Sequence, residues 1–191
     1  LGHHLRTSAL VYFKSVVRCY HRVLQLGERR QGMAREAAAP ATQPSSEVDS
    51  LGSTITITLR LLRLLVKFGA DLRGCIDVAF QSSPSAPWRD IIPQLFARLG
   101  HSDTFVQTQL EALLCNLARE FPYAVVYPAV VATMDAQAAD QTRQPTVSVF
   151  SRITEQLTSS SPLLVKEVST MIKEFTKITI LWEERWMIAL Q

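Results

Sequence analysis

The sequence predicts an all-α fold, a HEAT- or TPR-like α-solenoid segment of about seven helices, and three observations carry that prediction. Apolar residues recur at steps of three and four along most of the 191 residues, the period that places them on one face of a helix. Prolines and Ser-, Gly- or Ala-rich stretches fall between these stripes, where helices start, stop and turn. Residues 86–121 hold two stripes joined by a short polar turn. This is the helical-repeat unit, whose helices cover their apolar faces only when the next pair stacks on them.

The first stripe is Leu10, Phe13, Val17, Tyr20 and Leu24, which predicts a helix from about Thr7 with Gly27 as its stop. Residues 28–53 contain the run Ala37 to Ser46, rich in Ala, Pro and Ser. Such a run buries too little apolar surface to offset its ordering entropy, so a mobile insertion is expected there. Thr54 to Leu59 alternates Thr, Ile, Thr, Ile, Thr, Leu, which in isolation reads as a strand. The continuation through Leu61, Leu64, Leu65, Phe68, Leu72 and Ile76 keeps helical spacing, and the β-branched start is absorbed into a helix over about 55–81. Gly69 and Gly74 are its weak points, each costing ~1 kcal/mol relative to Ala.

A turn over 82–87 precedes Trp88, Ile91, Ile92, Leu95 and Leu99, one apolar stripe. Pro93 is harmless in a first turn and disruptive deeper in, so the regular helix is expected to begin near Asp90. Gly100 closes it, and Ser102 or Asp103 caps the next. Val106, Leu110, Leu113, Leu114, Leu117 and Phe121 form that helix's stripe, after which Pro122 and Pro128 bracket the entrance of a helix through about Met134. A second, polar insertion is expected over about 135–145. Val149, Ile153 and Leu157 mark the sixth helix. Ser161 and Pro162 then open a last one, whose stripe Leu164, Val168, Met171, Ile172, Phe175, Ile178, Trp182 and Trp186 runs to the end. No Gly, Asn or Pro stop follows it, and the chain reads as a segment, 1–191, of something longer.

Composition narrows the function classes. Hydrophobic residues make up 47% and charged residues 19%; the latter is below the usual ~25%, which implies that part of the surface rests on neighbouring protein. A net charge of +3 is too small to argue for nucleic acid. Even so, Arg6, Lys14, Arg18, Arg22, Arg29, Arg30 and Arg35 crowd the start, either as a solvated helix face or as a contact for phosphate or acidic protein. Cys19, Cys75 and Cys115 are odd in number and far apart. They read as small hydrophobes of a reducing compartment, not as a disulfide framework. No apolar run approaches the ~20 residues of a bilayer span, so neither a membrane nor direct nucleic-acid contact is expected.

No catalytic constellation emerges. A kinase site needs glycine-rich and Asp-containing motifs around phosphate and metal, and none is present; P-loop, Rossmann and zinc-helix patterns are absent as well. His3 and His4 are adjacent and so point to different faces of a helix. Glu183 and Glu184 beside Arg185 read as a solvated helix face, and His101 before Ser102 and Asp103 as a turn residue. The three indoles, Trp88, Trp182 and Trp186, each fall on an apolar stripe and read as packing residues, with contact to the rest of a parent chain as the other role.

Three blocks carry a family resemblance. They are Leu59 to Lys67 (LRLLRLLVK), Pro87 to Leu99 (PWRDIIPQLFARL) together with Tyr127-Pro128-Ala129, and Thr179 to Trp186 (TILWEERW). The chain resembles the helical FAT region that precedes the kinase domain in the phosphatidylinositol-3-kinase-related protein kinases. Ile92-Pro93-Gln94-Leu95 is also similar to the target-of-rapamycin branch, whereas the first and third blocks point to the branch that acts in nonsense-mediated mRNA decay. The resemblance implies a parent serine/threonine kinase that uses ATP and Mg, lies in the cytoplasm and also the nucleus, and phosphorylates the RNA helicase of that pathway alongside regulatory subunits.

Within such a parent this segment would hold no cofactor or metal of its own and would pack against the kinase domain and further helical repeats through Trp88, Ile92, Pro93, Leu95, Tyr127, Pro128, Trp182 and Trp186. The family's inositol hexakisphosphate pocket implies polyphosphate contacts, for which Arg60, Arg63 and Lys67 are the candidates. Two other readings stand beside this one: a HEAT-like adaptor unrelated to kinases, and a self-contained enzyme, which a deep pocket with convergent carboxylates, histidines or metal would favour.

Overall fold

The structure, a computed structural model, describes residues 2–36, 44–138, 144–179, 186–187 and 189–190. Among them it is all-α: α1 (Gly2–Glu36), α2 (Pro44–Gln81), a 3-10 segment (Ala86–Ile91), α3 (Ile92–Phe96), α4 (Thr104–Glu120), α5 (Pro122–Ala138), α6 (Gln144–Ser160) and α7 (Pro162–Thr179). The chain divides into two compact units, Leu1–Glu120 and Phe121–Gln191.

Several helix ends differ from the sequence reading. α1 continues through Gly27 to Glu36, because none of the described glycines takes a positive φ and Gly27 therefore forms no left-handed cap. The Glu, Arg, Gln and Met that follow are good helix formers and carry the rod onward. α2 begins at Pro44 rather than near 55, since a proline in a first turn loses an N–H that had no helical partner. Of the insertion expected over 28–53, both flanks are helical, and 37–43 lie outside the described residues. Likewise α5 reaches Ala138 and α6 starts at Gln144, leaving 139–143 outside them.

α2 is the spine of the first unit and packs against α1, the 3-10 segment and α4. Its Thr54–Leu59 run is helical, and the buried Thr58 hydroxyl is satisfied within it, donating to the carbonyls of Thr54 at 3.1 Å and Ile55 at 2.9 Å. Among the described residues no buried side-chain polar atom is left without a partner. At Phe68 the backbone leaves helical geometry (φ −133°, ψ 18°) and the helix kinks. α1 touches both arms. Before the kink, Phe13 stacks on Phe68 with ring centroids 4.7 Å apart and Tyr20 Oη accepts from Arg60 at 3.2 Å. After it, the Cys75 thiol lies 3.6 Å from the Lys14 carbonyl and Ser82 Oγ lies 3.4 Å from His21 Nε2. Partner numbers fall along the first arm and rise along the second, so α1 sits in the bend.

The stripe Trp88, Ile91, Ile92, Leu95 and Leu99 is buried as expected, but not on one regular helix. The backbone tightens to three-residue bonds, Trp88 N–H to Ser85 O at 3.0 Å and Leu99 N–H to Phe96 O at 3.2 Å, around a five-residue α3 in which Pro93 falls at the start. Trp88 is fully buried, donates its indole N–H to Ser83 Oγ at 2.9 Å and meets Phe80 at 5.1 Å. Asp103, not Ser102, caps α4 by accepting the Phe105 N–H at 2.9 Å. His101 belongs to that turn: its Nδ1 accepts the Asp103 N–H at 3.1 Å.

In the second unit α5, α6 and α7 pack on one another. Val125, Val126, Ala129 and Val130 of α5 and Val149, Ile153 and Leu157 of α6 are buried, and Thr133 and Thr154 join the two helices through their hydroxyls at 2.9 Å. Pro128 lies inside α5, not at its entrance. The carbonyl it deprives of a donor is that of Ala124, an exposed residue, so solvent is within its reach. α7 buries no residue fully. Leu164, Val168 and Ile172 are half-buried, while Met171, Phe175 and Ile178, on the same stripe, are exposed.

Candidate functional site

The chemistry-bearing side chains of this fold lie on helix surfaces. Arg60, Arg63 and Lys67, at steps of three and four on α2, share one helix face and are all exposed; Arg60 is engaged by Tyr20 Oη. A separate shallow groove of about 260 Å³ runs between α1 and the second arm of α2, bordered by Lys14, Arg18, Arg73, Asp71 and Cys75. Arg73 also lies 4.7 Å over the Phe105 ring, a cation–π contact that fixes its guanidinium on α4. A second depression of about 470 Å³ is lined by α7 alone, between Leu163 and Met171. Neither is the enclosed, mostly apolar cleft with convergent polar groups that small-molecule sites use.

Among the described residues no group of three or more His, Cys, Asp or Glu gathers, and no helix is long and apolar enough to cross a membrane. His3 and His4 fall in α1, with their side chains outside the described set, and Glu183, Glu184 and Arg185 lie outside it entirely. Two of the placed acids tie elements together. Asp77 accepts from Gln109 Nε2 at 2.6 Å, tying α2 to α4, and Glu120 accepts from Ser85 Oγ at 3.0 Å. Cys19, Cys75 and Cys115 form no disulfide, and Cys19 is exposed, because it faces away from the stripe that α1 turns toward α2.

The residues expected to pack divide in two. Trp88, Ile92 and Leu95 are buried in the first unit, whereas Pro93 is exposed and Pro128 half-buried. Tyr127 is 55% exposed and Trp186 61% exposed, and Trp182 lies outside the described residues. The sequence stripe marks Trp186 as apolar but does not say what covers it, and most of its surface is open to solvent. The set thus separates into internal packing residues and outward-facing aromatics.

No known family profile matches the chain. It is 33% identical over 186 residues to the serine/threonine-protein kinase Smg1 of Drosophila melanogaster, a match covering 94% of this chain and 6% of that protein. It is 29% identical over 187 residues to SMG1 of Danio rerio, covering 72% of this chain and 5% of the relative. It is 29% identical over 165 residues to the serine/threonine-protein kinase tor1 of Schizosaccharomyces pombe, covering 84% of this chain and 7% of the relative. The chain therefore spans a small fraction of each of these kinases. Its all-α make-up agrees with the helical region that the three sequence blocks resemble, and the chain belongs, as a FAT-like helical segment, to the phosphatidylinositol-3-kinase-related kinase family.

Proposed function

We propose that this chain is a non-catalytic scaffold segment of a serine/threonine kinase of nonsense-mediated mRNA decay, whose packed helices bear on the kinase domain and hold it in register. The observation that supports this reading is the match along 94% of the chain to 6% of fly Smg1, by a segment that itself carries none of the phosphate- and metal-binding motifs of a kinase site. Its mechanism is mechanical. Interdigitated helices have low compressibility and transmit position rather than chemistry, and the groups they present outward are apolar and basic surfaces, not paired acids and bases.

Co-expression with the kinase domain of a Smg1-type protein tests the proposal. The two should co-elute in gel filtration at micromolar concentration, and should do so in preference to an unrelated protein kinase domain. Separate elution, or equal retention of the unrelated domain, refutes it.

A further inference from the structure

α1 carries two apolar stripes. The first, built on Phe13, Val17, Tyr20 and Leu24, faces α2, with Val17 and Leu24 buried. The second is Tyr12, Cys19, Val23, Leu26 and Met33, at steps of seven, four, three and seven, the spacing of a seam that receives another helix. It lies roughly a third of the way around the rod from the first. Tyr12 is 68%, Val23 48%, Leu26 49% and Met33 70% exposed, and Cys19 is exposed too. One helix therefore has an occupied seam and an open one.

The charges beside the open seam have one sign. Arg18, Arg22 and Arg29, at steps of four and seven, form a column along one edge, and Arg30 falls within the seam itself, four residues after Leu26; all four are exposed. Among the described residues no hydrogen bond or ion pair engages them. Glu28, the acid among the described side chains of α1, is eleven residues from Val17 and so falls on the α2 side of the helix. Surface cations with no acid beside them on their own helix face gain energy from a partner that supplies anionic groups, such as the carboxylates of an acidic helix.

We infer that the outer face of α1 is a docking site for an acidic amphipathic α-helix, with apolar side chains in the Tyr12–Val23–Leu26–Met33 seam and carboxylates against Arg18, Arg22 and Arg29. A second copy of this chain fits poorly. Two α1 faces would oppose arginine to arginine, and α7, the other helix with an exposed stripe, sets Lys166, Lys173 and Lys177 beside Glu167 and Glu174. An acidic membrane fits poorly as well: membrane-surface helices bury a broad apolar face with bulky Trp, Phe or Leu, whereas this seam is narrow and interrupted by Ser15 and Arg30. The inference deepens the scaffold reading and rests on its premise that the segment's outward faces engage protein.

The test uses the whole chain and a synthetic helix with a leucine stripe flanked by glutamates, read by fluorescence anisotropy. The glutamate helix should bind, and raising salt from roughly 0.05 to 0.5 M should weaken that binding as the charges are screened. Arg18→Glu/Arg22→Glu/Arg29→Glu should lower affinity roughly tenfold or more and remove the salt dependence, while Leu26→Asp lowers affinity and leaves the salt dependence in place. All four residues are exposed, so circular dichroism should show unchanged folding.

Equal binding of a lysine-flanked helix, no binding of the glutamate helix, preferential binding to phosphatidylserine vesicles, or self-association abolished by the arginine reversal would each overturn the inference. If the glutamate helix binds but the kinase domain does not co-elute, the scaffold reading fails alone. If the kinase domain co-elutes but the glutamate helix does not bind, this inference fails alone.

Discussion

Gly69 shows how one residue's meaning changes once its neighbours are known. In the sequence it is a weak point of a helix, equivalent to Gly74, because propensity assigns both the same cost. In the fold, a Cβ on Gly69 would come within 2.9 Å of Val106 Cγ2 and 3.5 Å of Phe105 Cδ1 on α4, whereas one on Gly74 would meet nothing within 4 Å. Gly69 is thus the contact that lets α4 reach α2 beside the Phe68 kink. Thermal and urea unfolding should separate the two. Gly69→Ala should destabilise by about 1–3 kcal/mol through overpacking, and Gly74→Ala should stabilise by about 0.4–1 kcal/mol. If both mutations stabilise alike, α4 does not press on Gly69. Such a contact is invisible to a single sequence because its other half lies more than thirty residues away.

At the scale of elements, stripes were legible and helix geometry was not. Trp88, Ile91, Ile92, Leu95 and Leu99 were recognisable as one buried face because burial follows side-chain polarity. Their backbone tightens into three-residue bonds on both sides of the short α3, and side-chain spacing does not report that. Pro128 misled in the opposite way: a proline reads as a boundary, yet α5 passes through it where the freed Ala124 carbonyl is exposed. α7 has the same asymmetry between pattern and partner. Ile153 of α6 is fully buried, so Ile153→Ala should cost about 2–5 kcal/mol. Phe175 lies on an equally apolar stripe but is 58% exposed, so Phe175→Ser should change stability by no more than about 0.5 kcal/mol. A large loss from Phe175→Ser in chemical denaturation would mean that the end of α7 is covered in the folded chain.

At the scale of the whole molecule, the division after Glu120 was the least legible feature. Phe121 and Pro122 look like any other helix junction, and the pattern on both sides is equally apolar; what separates the units is which stripes find each other, a three-dimensional fact. Each unit has its own buried residues, Leu65, Leu72, Trp88, Leu95 and Leu114 in the first and Val125, Ala129, Ile153 and Leu157 in the second. A lesion in one core should therefore leave the other standing. Trp88→Ala removes a fully buried indole and should cost about 3–5 kcal/mol, a large part of a typical domain's ~5–15 kcal/mol. Native-state hydrogen exchange should then show amides of α4 between Val106 and Leu117 losing protection while those of α6 between Val149 and Leu157 keep theirs. Loss of protection in both helices to the same extent would make the chain one cooperative block, and the stiffness required of a scaffold would then have to be sought across residue 121 rather than within each unit.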